Sequence, residues 1–176
     1  MTIKYISFDL DDTFWDVMPT IYKAEELTTA WIKENYPGTA KLMASENMTE
    51  VRKRIVQEDP SLQFQISKLR KKIFYDSSIL AGYNEEEARD MSENAFNVFI
   101  EGRNNVTLFE GVMDTLENLK KKYSLGVITN GNADLKQIGM DHLFEHCFSS
   151  ADTQAHKPDP RAFEALINAT KLKPEE

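Results

Sequence analysis

The residues best suited to chemistry form the segment Asp9-Leu10-Asp11-Asp12-Thr13, directly after a short β-prone run. Asp9 and Asp11 are two residues apart, so their carboxylates repel each other unless a cation or a proton lies between them. Mg²⁺ is the natural cation for such a pair, because it prefers oxygen ligands and is commonly shared with a phosphate. An acidic loop can also be merely solvated, but this segment favours a magnesium-dependent phosphate site.

Two further polar segments follow apolar runs later in the chain. Thr129-Asn130-Gly131 offers a hydroxyl and backbone N–H groups at the start of a predicted helix, which suits an anion, although Asn-Gly is also typical of a simple turn. Lys157-Pro158-Asp159-Pro160 contains a lysine that either places its charge on a phosphoryl oxygen or lies on the surface. Because each segment follows a predicted strand, the three together predict one phosphate-binding site.

The hydrophobic pattern predicts the elements that position these segments. Strands are predicted over residues 3–8, 125–128 and 147–149, and helices over residues 112–121, 133–142 and 160–169. Asp159 is a suitable N-cap for the last helix, and we expect Cys147 to be buried in its strand. Because strands and helices alternate, the core is predicted to be a parallel α/β sheet.

One connection in this pattern contains a large insertion. The interval between residues 13 and 124 is far longer than a crossover between parallel strands requires, and its pattern is helical. Helices are predicted over residues 19–36 and 61–80, and Asn84 with Glu87 resembles a capping box that opens another helix. The side chains expected on the buried face of the first of these helices are Ile21, Ala24, Leu27 and Trp31.

The insertion predicts a chain of two domains. The inserted helical domain spans residues 14–105, and the core is formed by residues 1–13 and 106–176. The region of Asn104 and Asn105 is the predicted hinge at which the chain returns to the core.

Composition limits the class of protein further. The 176 residues include 21 basic and 29 acidic side chains, and the net charge of −8 argues against nucleic acid as a main partner. No apolar run approaches the roughly 18 residues that cross a bilayer, so we expect no membrane partner. The single cysteine, Cys147, precludes an internal disulfide and fits a reducing compartment. We therefore expect a cytoplasmic protein.

The three polar segments resemble the first three motifs of the haloacid dehalogenase-like (HAD) hydrolase superfamily. Asp9-Leu10-Asp11-Asp12-Thr13 resembles motif one, Thr129 resembles motif two, and Lys157-Pro158-Asp159-Pro160 resembles motif three. The helical insertion after the first motif is similar to the C1 cap of that superfamily. The resemblance implies a hydrolase with a Rossmann-like parallel α/β core and an all-helical cap.

The resemblance also implies a role for each site residue. Asp9 would be the nucleophile that forms an aspartyl-phosphate, and Asp11 would be the acid and base. The Asp9 carboxylate and the Asp11 backbone carbonyl would bind Mg²⁺. Thr129, Asn130 and Lys157 would hold the phosphoryl group of a small phosphorylated metabolite.

Asp11 separates the branches of the superfamily. Its dehalogenases need no proton on a departing halide and lack an acid at this position, so Asp11 favours a phosphatase, with a phosphomutase as the nearest alternative. The segments around residues 8–13 and 128–133 resemble the bacterial subgroup that dephosphorylates 5-amino-6-(5-phospho-D-ribitylamino)uracil and FMN. These two compounds are the substrates that the resemblance implies.

The fourth motif of the superfamily, Gly-Asp followed by another Asp, does not follow Lys157 in this sequence. The remaining acidic Mg²⁺ ligand is therefore absent from the sequence, and the predicted core is C-terminally incomplete. We expect a chain of 176 residues to be weakly active or inactive toward phosphate esters. A non-catalytic HAD-like binding or interaction protein is the further alternative. An open edge on the first strand predicts a monomer or an edge-paired dimer.

Overall fold

The computed structural model describes residues 2–174. The chain divides into two compact units, one formed by Met1–Met18 together with Asn104–Glu176 and the other by Pro19–Arg103. We call them the core unit and the helical unit. This division lies a few residues from the predicted domain boundaries, and the assignment of the two parts to a catalytic core and a cap stays a prediction.

The regular elements cover most of both units. In chain order they are β1 (Tyr5–Phe8), α1 (Val17–Asn35), α2 (Pro37–Ser45), α3 (Met48–Glu58), α4 (Ile66–Leu80), α5 (Glu85–Asn104), α6 (Val112–Lys120), β2 (Ser124–Thr129), α7 (Leu135–Ile138), β3 (His146–Ser149), α8 (Ser150–Thr153) and α9 (Pro160–Thr170). Short 3₁₀ turns occur at Pro60–Gln63 and Asp141–Leu143. None of the helices within residues 2–174 combines the length and apolar character that a membrane span requires.

The strands form a three-stranded parallel sheet in the order β1-β2-β3, which confirms the predicted α/β class. The central strand β2 is buried from Leu125 to Thr129. Its alternate side chains enter different apolar clusters, with Leu125 and Val127 in one and Ile128 in the other. Because the strands are parallel and Phe8 lies opposite Val127, their carboxyl ends lie at the same edge of the sheet.

The helical unit packs α1 to α5 around two apolar clusters. The larger cluster comprises Ala24, Ile32, Phe74, Met91, Ala95, Phe96 and Phe99. The smaller cluster comprises Val51, Ile55, Leu62 and Leu69. The predicted capping box at the start of α5 is confirmed, because the Glu87 N–H donates to Asn84 Oδ1 at 3.0 Å and the Asn84 N–H donates to Glu87 Oε2 at 2.9 Å.

The buried face of α1 agrees with the prediction at Ala24, which is buried, and at Ile21 and Trp31, which are partly buried, but not at Leu27. Leu27 is 42% exposed, whereas the buried residues of α1 are Thr20, Ala24, Thr28 and Ile32. Thr28 Oγ1 donates a hydrogen bond to the Ala24 carbonyl at 2.7 Å. Because this bond satisfies the hydroxyl within the helix, the threonine can be buried, which a hydrophobic pattern does not reveal.

Two expectations for the core unit are wrong. The helix predicted over residues 133–142 spans only Leu135–Ile138, because Gly139 adopts a φ of 85° and ends it. Cys147 is exposed rather than buried, because its strand lies at one side of the sheet. Partial burial of the thiol, with the charges of Asp152 and Asp134, raises the pKa of Cys147 to about 11.

Candidate active site

Asp9 directly follows β1 at the carboxyl edge of the sheet. Its Oδ1 atom accepts a hydrogen bond from the Leu10 backbone N–H at 2.8 Å and forms an ion pair with Lys157 Nζ at 2.9 Å. Its second carboxylate oxygen, Oδ2, has no hydrogen bond to any residue within positions 2–174. Because the Asp9 side chain is also 42% exposed, its carboxylate is accessible to a ligand.

A buried tryptophan holds the loop that follows Asp9. Trp15 is 0% exposed, and its Nε1–H donates to Asp11 Oδ1 at 2.9 Å. The Asp12 N–H donates to the Trp15 carbonyl at 2.9 Å, and Asp12 adopts a φ of 59°, a left-handed conformation that aspartate tolerates. The indole ring therefore packs in the core unit and at the same time fixes the direction of the Asp11 carboxylate.

Thr129 is the last residue of β2 and is 3% exposed. Its Oγ1 accepts a hydrogen bond from the Gly131 N–H at 3.0 Å, which stabilises the turn predicted at Thr129-Asn130-Gly131. The Thr129 hydroxyl donates no hydrogen bond to the part of the chain that the structure describes. A hydroxyl both donates and accepts, so this one retains a proton for an oxygen atom of a ligand.

Asn130 and Lys157 join the loops that follow β2 and β3. Asn130 Oδ1 accepts the Lys157 backbone N–H at 2.8 Å, and Asn130 Nδ2 donates to the Lys157 carbonyl at 3.3 Å. Lys157 Nζ also donates to the Ile128 carbonyl at 2.6 Å, in addition to its ion pair with Asp9. The Asn130 side chain is therefore occupied by the Lys157 backbone, and it positions the lysine beside Asp9.

The loop that contains Lys157 ends at the start of α9. The Lys157–Pro158 peptide bond is cis, and Asp159 caps α9 by accepting the Arg161 N–H at 3.0 Å, as predicted. The Arg161 side chain also donates to both Asp159 carboxylate oxygens, at 3.1 and 2.8 Å. These hydrogen bonds lower the pKa of Asp159 to about 2. The carboxylate therefore stays charged and holds the helix start in place.

Asn104 is a supporting residue whose role in the site was not predicted. It is 8% exposed, its Oδ1 accepts the Asp134 N–H at 2.9 Å, and its Nδ2 donates to Gln137 Oε1 at 2.9 Å. Asp134 in turn caps α7, directly after the Thr129 turn. The sequence indicated only a hinge here, because the partners of Asn104 lie some thirty positions away and leave no local signal.

The donor atoms of this site fit a magnesium ion through oxygen. The Asp9 Oδ2 atom is accessible, and a backbone carbonyl such as that of Asp11 is an oxygen ligand of the kind that Mg²⁺ accepts. Within residues 2–174, no group of three or more His, Cys, Asp or Glu side chains converges to hold a metal ion. Mg²⁺ often binds through one or two carboxylates, with water and a substrate phosphate completing its shell, so the donor set is compatible with the ion.

The site residues together suit group transfer to a carboxylate. Asp9 supplies an accessible carboxylate, and Lys157 supplies a positive charge at 2.9 Å from it. Thr129 ends the neighbouring strand with a hydroxyl that can donate, and Asp11 places a second carboxylate within the same loop as Asp9. An accessible carboxylate, a cation, a hydrogen-bond donor and a second carboxylate therefore lie on adjacent loops.

Known proteins share both the sequence and the architecture. Over 156 residues the chain is 28% identical to the 5-amino-6-(5-phospho-D-ribitylamino)uracil phosphatase YigB of Escherichia coli, a match that covers 89% of this chain and 65% of the relative. A 2-haloacid dehalogenase from Pseudomonas syringae, known from its crystal structure, is 37% identical in sequence to this chain. The two structures match with a TM-score of 0.90, and the match covers 97% of this chain and 74% of that one. The putative HAD-hydrolase YfnB of Bacillus subtilis shares the fold, with a TM-score of 0.56 at 20% identity, over 96% of this chain and 74% of that one.

The family assignment rests on a match along nearly the whole chain. The sequence profile of the haloacid dehalogenase-like hydrolases matches residues 3–176. The chain spans about two thirds of the length of the E. coli relative. These findings confirm the resemblance inferred from the three motifs: the chain belongs to the haloacid dehalogenase-like hydrolase family.

Proposed function

We propose that the chain acts as a magnesium-dependent phosphomonoesterase on a small phosphorylated metabolite, through a phosphorylated Asp9. The observation that carries the proposal is the Asp11 carboxylate, two residues after the nucleophile and oriented by the buried Trp15 Nε1–H at 2.9 Å. Transfer of a phosphoryl group to a carboxylate releases an alcohol that needs a proton, and Asp11 can supply it.

The reaction proceeds in two steps. In the first, an Asp9 carboxylate oxygen attacks phosphorus, the ester P–O bond breaks, and the leaving oxygen takes a proton from Asp11. In the second, Asp11 removes a proton from water, which attacks the phosphorus of the aspartyl-phosphate and releases inorganic phosphate and the free Asp9 carboxylate. Division into two steps lowers a barrier that is high for uncatalysed hydrolysis of phosphate monoesters.

Three groups bind the phosphoryl oxygens in this proposal. Lys157 Nζ offsets the repulsion between the phosphate and the carboxylate of Asp9, because it lies 2.9 Å from Asp9 Oδ1. The Thr129 hydroxyl and the Asn130 backbone N–H donate hydrogen bonds to the phosphate. Asp9 and the Asp11 carbonyl would hold Mg²⁺, which supplies positive charge that stabilises the transferring phosphoryl group.

The name of the E. coli relative supports one substrate class. That protein is named as a phosphatase of 5-amino-6-(5-phospho-D-ribitylamino)uracil, and it matches 89% of this chain. We therefore propose a phosphorylated ribityl compound, this metabolite or FMN, as the substrate class. A phosphomutase would require the same residues but would return the phosphoryl group to a second substrate oxygen instead of to water.

A dehalogenase is the second candidate, because a protein named 2-haloacid dehalogenase is 37% identical to this chain. In that reaction Asp9 would attack carbon and release a halide ion. A halide leaves without a proton, so the reaction gives no role to the oriented carboxylate of Asp11. The position of Asp11 therefore favours the phosphatase.

The test compares phosphate and halide release by the same protein preparation. The chain is incubated with p-nitrophenyl phosphate, FMN or 2-chloropropionate, each with Mg²⁺ and with a chelator. We expect weak Mg²⁺-dependent phosphate release that falls to the level of an enzyme-free blank in Asp9→Asn, since this variant lacks the nucleophile. Asp114→Asn, an exposed substitution on α6, is the matched control.

Three outcomes would contradict the proposal. Chloride release that depends on Asp9 would indicate the dehalogenase. Equal phosphate release by the wild type and by Asp9→Asn would exclude Asp9 as the nucleophile. Absence of any product with the folded wild-type chain would contradict catalysis by this chain.

A further inference from the structure

We propose that the helical unit contains a binding pocket for an organic monocarboxylate with an apolar body. The proposal concerns Pro19–Arg103 alone and does not depend on the phosphatase chemistry proposed for the core unit. It rests on a cavity, on the apolar character of its wall and on two arginine side chains that line it.

The cavity lies among α1, α2, α3 and α4 and has a volume of about 670 Å³. This volume is within the range of about 300 to 1,000 Å³ that is usual for pockets that bind small molecules. Buried Ile32, Leu69 and Phe74 line the cavity, together with Met43 and Met48. Methionine side chains adapt to the shape of a neighbour, so this wall suits an apolar group whose shape is not rigidly specified.

Arg70 places a largely buried positive charge at this cavity. Its side chain is 26% exposed, and its guanidinium lies 3.7 Å from the centroid of the Phe99 ring. Its Nη2 atom donates to Glu25 Oε1 at 3.4 Å, at the long end of hydrogen-bond distances. Burial lowers the pKa of Arg70, Glu25 partly offsets this effect, and the nearby charge of Arg52 adds to it. A second anion beside Arg70 would therefore stabilise its charged form.

Arg52 adds a second guanidinium to the lining of the cavity. It has no ion-pair partner among the residues that the structure describes, and the residue is exposed. The charged side chains of the lining are Arg52, Arg70 and Glu25, which together carry one net positive charge. This local charge is opposite in sign to the net charge of −8 of the whole chain.

The net positive charge and the apolar lining of the cavity together indicate the class of ligand. One net positive charge is balanced by a monoanion, and a guanidinium binds a carboxylate through two parallel hydrogen bonds. The apolar wall contributes binding energy only to a ligand that carries apolar surface. A carboxylate with a hydrocarbon body satisfies both conditions, whereas an alcohol or a small hydrophilic acid satisfies only one.

The experiment measures binding to the full chain by isothermal titration calorimetry with three probes. Octanoate carries the charge and the apolar body, octan-1-ol carries only the apolar body, and acetate carries only the charge. We expect octanoate to bind more tightly than the other two probes. Arg52→Gln and Arg70→Met are each expected to weaken octanoate binding by about tenfold, since each removes a charge-assisted hydrogen bond.

Two further variants distinguish a loss of binding from a loss of folding. Arg54→Gln neutralises an exposed arginine of the same helix, α3, outside the cavity lining, and is expected to bind octanoate like the wild type. Ala44→Phe fills part of the cavity from its exposed rim and is expected to reduce binding while both arginines remain. Circular dichroism confirms that each variant is folded.

Several results would overturn this proposal. One is equal binding of octanoate and octan-1-ol. Others are octanoate affinity unchanged in folded Arg52→Gln and Ala44→Phe, or lowered equally by Arg54→Gln. Failure of octanoate to bind would also overturn it. None of these measurements involves phosphate release, so they leave the proposed phosphatase activity unaffected.

Discussion

Lys157 in the core unit and Arg52 in the helical unit are both cationic, yet they are held differently. Lys157 Nζ contacts the Asp9 carboxylate and the Ile128 carbonyl, while its backbone is bound by Asn130. Arg52 is exposed and has no ion pair within the described part of the chain. Main-chain hydrogen bonds therefore help to position the cation of the core unit, whereas the helices of the helical unit pack through apolar side chains.

This contrast has a physical cause. Loops at the ends of parallel strands expose N–H and C=O groups that lie outside the ladder, so they can bind the side chains of neighbouring loops. In helices the backbone groups are paired internally, so contacts between helices are made mainly by side chains. Substitution of Lys157 should therefore change chemistry more than stability, and substitutions between packed helices should change stability.

The largest expected effect tests whether substitution of Lys157 changes chemistry more than stability. Lys157→Gln removes the charge beside Asp9 and should lower kcat/KM of the proposed phosphatase reaction by about 10²- to 10³-fold. The free energy of unfolding in urea should fall by only about 1 kcal/mol, because the ion pair is partly exposed to solvent and one hydrogen bond, to the Ile128 carbonyl, is lost. Lys136→Gln, an exposed substitution on α7, is the control. A loss of activity shared by both variants would contradict the role of Lys157.

The next effect tests whether a substitution between packed helices changes stability. A Cβ atom added at Gly102 of α5 would lie 2.9 Å from the Ala24 backbone Cα atom on α1. Because a helix backbone cannot yield easily, we expect Gly102→Ala to lower the free energy of unfolding by about 1–3 kcal/mol. Urea denaturation monitored by circular dichroism measures this change. Unchanged or increased stability would show that the helix contact is looser than the structure indicates.

Gly126→Ala is the matched glycine substitution in the core unit. The added Cβ would overlap the end of the Tyr5 side chain, whose hydroxyl donates to the Leu125 carbonyl at 3.1 Å. A side chain can rotate away, so we expect a smaller loss of about 1 kcal/mol, the value of one hydrogen bond. Burial and the charge of Glu145 raise the pKa of Tyr5 to about 12. Rotation into solvent should lower this pKa, which an absorbance titration detects.

Asn104 tests whether main-chain hydrogen bonds hold the loop after β2. Asn104→Ala leaves the Asp134 N–H without its acceptor, and we expect a loss of about 1–2 kcal/mol in stability with faster hydrogen exchange at Asp134. Asn118→Ala removes an exposed amide on α6 that accepts a hydrogen bond from Lys121 Nζ and should be nearly neutral. Hydrogen exchange at Asp134 that is unchanged in Asn104→Ala would mean that the loop is held by other contacts.

The smallest effect concerns Asp159 and depends on pH. Hydrogen bonds from Arg161 lower the pKa of Asp159 from its ordinary 3.8 to about 2. A lowered carboxyl pKa stabilises the folded state above the ordinary value, and this contribution is lost as the pH falls from 3.8 toward 2. Between these values the wild type should lose slightly more stability than Asp159→Asn, which keeps a capping oxygen but no charge. Parallel thermal unfolding curves for the two proteins at pH 5 and pH 2.5 would argue against the effect.

The sequence by itself determined the features whose hydrogen bonds close within a few residues. The capping box of Asn84 and Glu87 and the cap of α9 by Asp159 are such features. The three strands were predicted from short apolar runs, and the family was predicted from the motifs that follow them. Both signals are local, because each lies within a few consecutive residues. The early end of α7 at Gly139 was missed, although its signal is local too.

Only the tertiary structure decided which distant groups meet. The ion pair of Lys157 with Asp9, the bonds from Asn104 to the loop after β2, and the cavity bordered by Arg52 and Arg70 join segments far apart in sequence. The burial of Thr28 on α1 also depends on its hydroxyl bond to the Ala24 carbonyl rather than on hydropathy. Composition and spacing describe what a segment can bind, whereas the partner it binds depends on how the sheet and helices pack.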